Sequence, residues 1–436
     1  MKFFNTARIT VLSVLSLVIA VLMTVIIANE FIIDEAAGSQ PETHQLVRDA
    51  RVGLASKVEW ENNFGGSGDE YPVSVYTANG KLYIFGNTTS NDLDFSGGGV
   101  FASRLSEFGR TEKFVTFGIA GDELFSASLT EYGFMLAFGG EEQTMTFIDF
   151  ELNTSDSTVL AKTEENTAYK ICDVGFFENK YYIFRQAKNS SVSFVVCDIL
   201  TTDGKVSSPK IFKQSLNLTY RGFFPGKTHI TAFEEIGSSA GCATFAEWTV
   251  TGIIAYKRVT TSIKQSTLDI YPILNGWAVL SSGNGETFIS VIGKDYSPIR
   301  KVYIDFPIPA SGKLFHSYET NSLFAAVFIE GEISALFNLG TDVIDVIKTT
   351  VPSFSSMQLY SAAGGDVLTV CGAGKVNVAV ITAKGITVTE ITDGASSPMM
   401  ARNGDNWYIT FAAQKTSAII GGNYGGYDIA VAKLKF

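Results

Sequence analysis

The two ends of this chain read as separated halves of one repeat unit. Its last residues, Tyr424-Gly425-Gly426-Tyr427-Asp428 through Leu434, would continue naturally into Val58-Glu59-Trp60-Glu61-Asn62-Asn63-Phe64-Gly65-Gly66-Ser67-Gly68-Asp69-Glu70. A unit cut in two by the termini implies a circular array. In such an array the end strands pair with each other, because an open edge would leave a row of backbone donors and acceptors unpaired.

The interior of the chain repeats a consistent pattern. Eight hairpins alternate apolar strands around turns rich in Asn and Gly, residue types that tolerate the positive φ of tight hairpins. They lie at 73–85 (turn Asn79-Gly80), 125–138, 170–184 (turn Glu178-Asn179), 220–233, 268–280 (Asn275-Gly276), 313–328, 358–370 and 399–411 (Asn403-Gly404). A third apolar strand follows each, the first at Val100 to Leu105 and the last at Asp428 to Leu434. Fourth strands are expected to begin near Glu112, Thr158, Lys210, Ala255, Lys301, Val343 and Thr387. These are seven, and the eighth must come from Val58 to Phe64. A period of about 47 residues with four strands per unit is that of a β-propeller blade. The expected fold is therefore all-β: an eight-bladed propeller, with seven blades as the alternative count, closed by its N- and C-terminal strands in one blade.

Composition agrees with many short strands and tight turns: 436 residues, 12% aromatic, with 41 glycines and 10 prolines. A net charge of -11, spread along the chain, argues against a nucleic-acid partner, which needs clustered Lys and Arg to displace counterions.

Ile9 to Ala28 is an uncharged apolar stretch long enough to cross a bilayer as one helix. Lys2 and Arg8 precede it, and Glu30, Asp34 and Glu35 follow. That asymmetry predicts a cytoplasmic N-terminus at residues 1–8, a membrane anchor at 9–28, a stalk at 29–57 and an exported domain at 58–436. A cleaved signal peptide, releasing the domain as a secreted protein, is the competing reading. Within the stalk a short helix is expected over Gln45 to Lys57. Cys172 and Cys197 fall on the first and third strands of one sheet, two strand spacings apart and beyond disulfide reach.

The chain resembles the bacterial SBBP β-propeller repeat family. The resemblance rests on Trp60 to Tyr71, on Gly80-Lys81-Leu82-Tyr83-Ile84-Phe85-Gly86-Asn87-Thr88-Thr89-Ser90, on Asp94-Phe95, and on Gly425 to Leu434. It is good in the first unit and the last strands and fades between about Thr158 and Thr387, where only the strand pattern persists. It implies an exported bacterial propeller but no single activity.

Candidate chemistry is sparse. His44, His229 and His316 are the only histidines and are too dispersed for a metal cluster or a Ser-His-Asp set. Asn91-Asp92-Leu93-Asp94 brings calcium-type oxygen ligands close together but lacks the remaining spacing of an EF-hand loop, so an ordinary turn is preferred and no cofactor is expected. Asp69, Glu70, Tyr71, Asp92, Asp94 and Phe95 approach one face as a carboxylate and aromatic cluster suited to a glycan or peptide, against the alternative that they only shape turns. The expected function is a membrane-anchored binding or scaffold module for a protein or glycan partner. A polysaccharide hydrolase or lyase is the second reading, and it requires paired carboxylates in the central cavity.

Overall fold

The computed structural model describes residues 51 to 434 except 54–57, 92–98, 141, 203, 213–216, 237–240, 260–264, 305, 308, 310, 318–319, 329–333, 340–346, 352–355, 363–364, 373–374, 383–384, 394, 405 and 415–425. The expected anchor at 9–28 and most of the stalk lie outside the described residues. Among those residues every regular element is a strand, and no helix is long and apolar enough to cross a membrane.

The strands form eight antiparallel sheets in chain order, at 70–117, 123–160, 168–212, 217–259, 266–304, 311–351, 356–393 and 395–434. The first seven each run as a four-stranded meander. The eighth has only three strands from its own stretch, 395–403, 406–413 and 428–434, and Val58–Phe64 is its fourth, antiparallel to Asp428–Leu434, with Phe64 opposite Ile429. The eight expected hairpins are the first two strands of the eight sheets.

The stalk contributes one departure from expectation. Arg51–Gly53 is not helical: it lies parallel to Gly385–Asp393 as a fifth, outer strand of the seventh sheet, Arg51 opposite Thr387. A free sheet edge offers a row of backbone partners, and pairing with it outweighs the weak helical preference of a short polar stretch.

Local chemistry explains the hairpins. Asn79 and Gly80 both hold positive φ, as do Glu178 and Asn179, the conformation that matches a two-residue turn to the twist of its strands. The second strands, such as Lys81–Thr88 and Lys180–Lys188, read as continuous apolar runs because they are buried on both faces. Successive side chains point oppositely, so Phe85 packs with Phe134 and Leu136 of the second sheet while Ile84 packs with Tyr408 and Val431 of the eighth. Each such side chain removed from water is worth roughly 2 kcal/mol.

Shared cores of this kind join the first sheet to the second, then the second to the third, the third to the fourth, the fourth to the fifth and the fifth to the sixth. They also join the seventh to the eighth and the eighth back to the first. Four-stranded antiparallel sheets packed face to face in sequence order are the architecture of a β-propeller module.

Candidate functional site

Asp69, Glu70 and Tyr71 sit where the eighth sheet hands over to the first. Residues 65–69 link Val58–Phe64, the outermost strand of the eighth sheet, to Glu70–Ala78, the first strand of the first sheet. The Glu70 carboxylate is fully buried and accepts hydrogen bonds from the Gly66 amide at 2.9 Å, Thr88 Oγ1 at 2.7 Å and Ser90 Oγ at 2.5 Å.

Backbone bonds tie the same loop to the other end of the chain. The Glu70 amide donates to the Tyr427 carbonyl at 2.7 Å, the Gly426 amide donates to the Gly68 carbonyl at 3.0 Å, and the Tyr427 amide donates to Asp69 Oδ1 at 2.9 Å. The rings of Tyr71 and Tyr427 face each other at 5.3 Å. Burial, then the Asp69 charge, raises the Tyr71 hydroxyl above its ordinary value.

Gly65 is required here by space. A Cβ on it would stand 2.1 Å from Oδ1 of the buried Asp428 and 2.9 Å from Glu70 Oε2. Two carboxylates therefore converge on a glycine beneath the surface. We call this arrangement the clasp. Asp92, Asp94 and Phe95 lie outside the described residues.

A second constellation, which sequence reasoning missed, runs along the first strands of the sheets. The first strands of the first five sheets carry a β-bulge at an equivalent place: between Pro72 and Ser74, Leu124 and Ser126, Ile171 and Asp173, Tyr220 and Gly222, and Thr267 and Asp269. A bulge inserts one residue and frees a backbone group from the ladder. At three of these bulges a side chain of the preceding sheet takes up the amide of the residue before the inserted one. Asn87 Oδ1 accepts from Leu124 at 2.6 Å, Gln186 Oε1 from Tyr220 at 3.1 Å and Glu234 Oε1 from Thr267 at 3.1 Å. Asn87, Gln186 and Glu234 occupy the same position on their second strands, opposite the residue two before the bulge.

Chemically distinctive side chains cluster at the bulges of the third to fifth sheets. The Tyr220 hydroxyl donates to Asp173, Arg221 pairs with Glu234, and Asp269 Oδ2 accepts from the Leu314 amide at 2.7 Å with Lys313 Nζ 3.8 Å from its other oxygen. Burial raises Asp269 above the ordinary carboxylate range, against the opposing pull of Lys313. Cys172 is exposed to solvent, yet desolvation by the surrounding protein, reinforced by Asp173, pushes its thiol up to about 12. At neutral pH such a thiol stays protonated and is a weak nucleophile.

The arrangement is one of filled valences. Asp173, Glu234 and Asp269 each already hold a donor, and among the described residues no three His, Cys, Asp or Glu side chains are placed to share a metal. Cys172 and Cys197 occupy the first and third strands as expected, and with Cys242 they are free thiols. His229 is buried between Tyr182 and Trp248, its ring centre 5.1 and 4.7 Å from theirs, and burial lowers its pKa.

No protein-family model matches the chain, and no curated protein matches it. Among solved structures the chain is similar to a prolyl endopeptidase described for inter-domain dynamics in catalysis and specificity, at 10% identity and a TM-score of 0.47 over 80% of this chain and 55% of that one. It is also similar to the dihydro-heme d1 dehydrogenase NirN in complex with DHE, at 11% identity and a TM-score of 0.48 over 73% of this chain and 66% of the other. A third similar structure is the AfRom2 CNH domain, at 10% identity and 0.43 over 86% and 99%. The chain thus spans less than two thirds of the length of the first two. Likeness at this level bears on neither ligand nor chemistry.

Proposed function

We propose that this protein is an extracytoplasmic propeller of eight blades, closed by its own termini and held to the membrane through residues 9–28, that serves as a binding or scaffold module for a protein or glycan. The observation that carries the closed ring is the pairing of Val58–Phe64 with Asp428–Leu434, supported by the core shared between the eighth and first sheets. Its kinship with the SBBP repeat family is part of the same reading and rests on Trp60 to Tyr71, Gly80 to Ser90, Asp94-Phe95 and Gly425 to Leu434.

A binding role is favoured because Asp173, Glu234 and Asp269, at the bulges of the third to fifth sheets, already hold donors. Groups held this way present a rigid surface and are poorly placed for proton transfer. The reading is tested by passing peptides and bacterial polysaccharides over the immobilised full-length chain. Retention of a ligand that elutes intact is expected. Elution of a shortened product would overturn the proposal in favour of a hydrolase or lyase.

A further inference from the structure

An antiparallel sheet of four strands returns the chain to the end at which it entered. All first-to-second and third-to-fourth strand turns therefore collect at one end of the sheets, and all second-to-third strand turns and connections between sheets collect at the other. Cross-contacts agree with this alignment, since Ser74 reaches Ala127 and Thr77 reaches the Arg402 carbonyl, each on the first strand of an adjacent sheet.

The two ends differ in chemistry. Of the thirteen exposed large apolar residues among those described, nine lie at the hairpin-turn end. Phe108, Tyr132, Phe176, Ile254, Leu274 and Ile299 are more than half exposed, and Leu274 reaches 87%. Singly exposed apolar residues need no explanation, but concentration at one end does.

Charge divides the same way. Described turns at the apolar end carry Arg110, Lys205, Lys227 and Lys294 against Glu107, Glu131, Glu151, Glu178 and Asp295. Described connections at the opposite end carry Asp69, Asp122, Glu142, Glu164 and Glu165 against Lys162 alone. An anionic lipid surface repels the second end more than the first.

The position of the N-terminal strand selects the occupant. Arg51 lies opposite Thr387, at the beginning of the strand Gly385–Asp393, and that strand starts at the hairpin-turn end. Arg51, the first described residue, therefore stands at the apolar end, and residues 29–50 are what separate it in sequence from the apolar stretch ending at Ala28.

We infer that the hairpin-turn end is the membrane-facing surface of the protein, with Tyr132, Leu274 and their neighbours resting in the headgroup layer of the bilayer to which the chain is tethered. This leaves the acidic end, where Asp69 and Tyr71 lie, directed away from the membrane and open to a partner. Apolar side chains and rings with a polar edge are suited to that interface. The inference rests on the proposed anchoring by residues 9–28 and adds an orientation to it.

The test uses the unaltered full chain, reconstituted into vesicles of mixed zwitterionic and anionic phospholipid that carry a photoactivatable carbene-generating lipid. After irradiation and a carbonate wash, lipid adducts are mapped by mass spectrometry. Adducts on the segments around Tyr132 and Leu274, with none around Ile119, are expected; Ile119 is a matched control, 71% exposed at the opposite end. Retention of the chain on the vesicles without adducts at Tyr132 and Leu274, or with equal adducts at Ile119, overturns the orientation and leaves the anchor standing. Loss of the chain in the wash overturns the anchor, and the orientation with it.

Discussion

The clasp and the junction between the third and fourth sheets perform the same task with a different balance of aromatic packing and hydrogen bonding. At the internal junction, Tyr182, Phe184, Phe223, Phe233 and Trp248 pack as an aromatic cluster, and Trp248 Nε1 finds its acceptor in Thr231 Oγ1 at 2.9 Å. At the clasp, a buried carboxylate and a set of short backbone bonds hold a glycine-rich loop to Tyr427. The difference follows from where the chain is cut. Within the third sheet the third and fourth strands belong to one continuous segment; in the eighth they belong to opposite ends of the chain. Where the backbone already holds register, aromatic packing carries most of the junction, and the hydrogen bonds that Tyr220 donates to Gln186 and Asp173 supplement it. Where register must be specified between distant segments, directional hydrogen bonds set it, because a slip would turn every side chain to the wrong face.

The comparison breaks most visibly if the closing strand is removed. Deleting Val58–Phe64 is expected to abolish the cooperative melting transition of the whole domain, whereas deleting Arg51–Gly53, an added outer strand, should leave one transition close to its original temperature. Calorimetry on both deletions decides it, and a closing deletion that merely broadened the transition would count against a closed ring.

Next in size is Trp248→Ala, which empties the centre of the aromatic junction and should cost about 4 kcal/mol in denaturant unfolding. Glu70→Ala, the equivalent injury to the clasp, leaves three donors without their acceptor and should cost about 3 kcal/mol. Since the clasp spans the two ends of the chain, its loss should also expose them to proteolysis before the rest unfolds, which Trp248→Ala should not do.

Gln186→Ala removes the side chain that takes up the Tyr220 amide and should cost about 1 kcal/mol, with a matching rise in hydrogen exchange at that amide. Unchanged exchange at Tyr220 would show that the inter-sheet bond at the bulge is dispensable.

The smallest effect concerns pH. Burial lowers the His229 pKa, with Lys180 acting in the same direction and Glu178 against it. A base whose folded value is depressed favours the neutral form in the native state. Its contribution is present above the ordinary histidine value of about 6.5 and is lost as pH falls through that value toward the folded one. Acidification through this window should weaken the aromatic junction, and His229→Gln should flatten the stability profile there. An unchanged profile in the variant would assign the pH dependence to other groups.

The repeat, the hairpins and the strand that completes the eighth sheet are all legible in the order of residues, because each is written locally. Strands buried on both faces must be runs such as Leu82-Tyr83-Ile84-Phe85, and turns that need positive φ draw Asn and Gly. The candidate site was legible only as residue types. Asp69, Glu70 and Tyr71 stand out as an acidic and aromatic cluster, but that Glu70 points inward and is fully occupied depends on Thr88, Ser90 and Gly66 meeting it in space.

The bulges were invisible for a related reason. An inserted residue such as Cys172 or Arg221 changes no local pattern, so the equivalence of Asn87, Gln186 and Glu234 emerges only when the pairing registers are compared. Arg51–Gly53, within the stretch where a helix was expected, is extended because it takes its conformation from a distant edge.

What the order of residues decides here is period, strand and turn, since those follow from side-chain alternation and backbone preference over a few positions. Assembly alone decides which carboxylates are buried, which amides need a partner from the next sheet, and that apolar and acidic turns collect at opposite ends. Those properties arise from contacts between residues far apart in the chain, and they come into being only when the sheets pack.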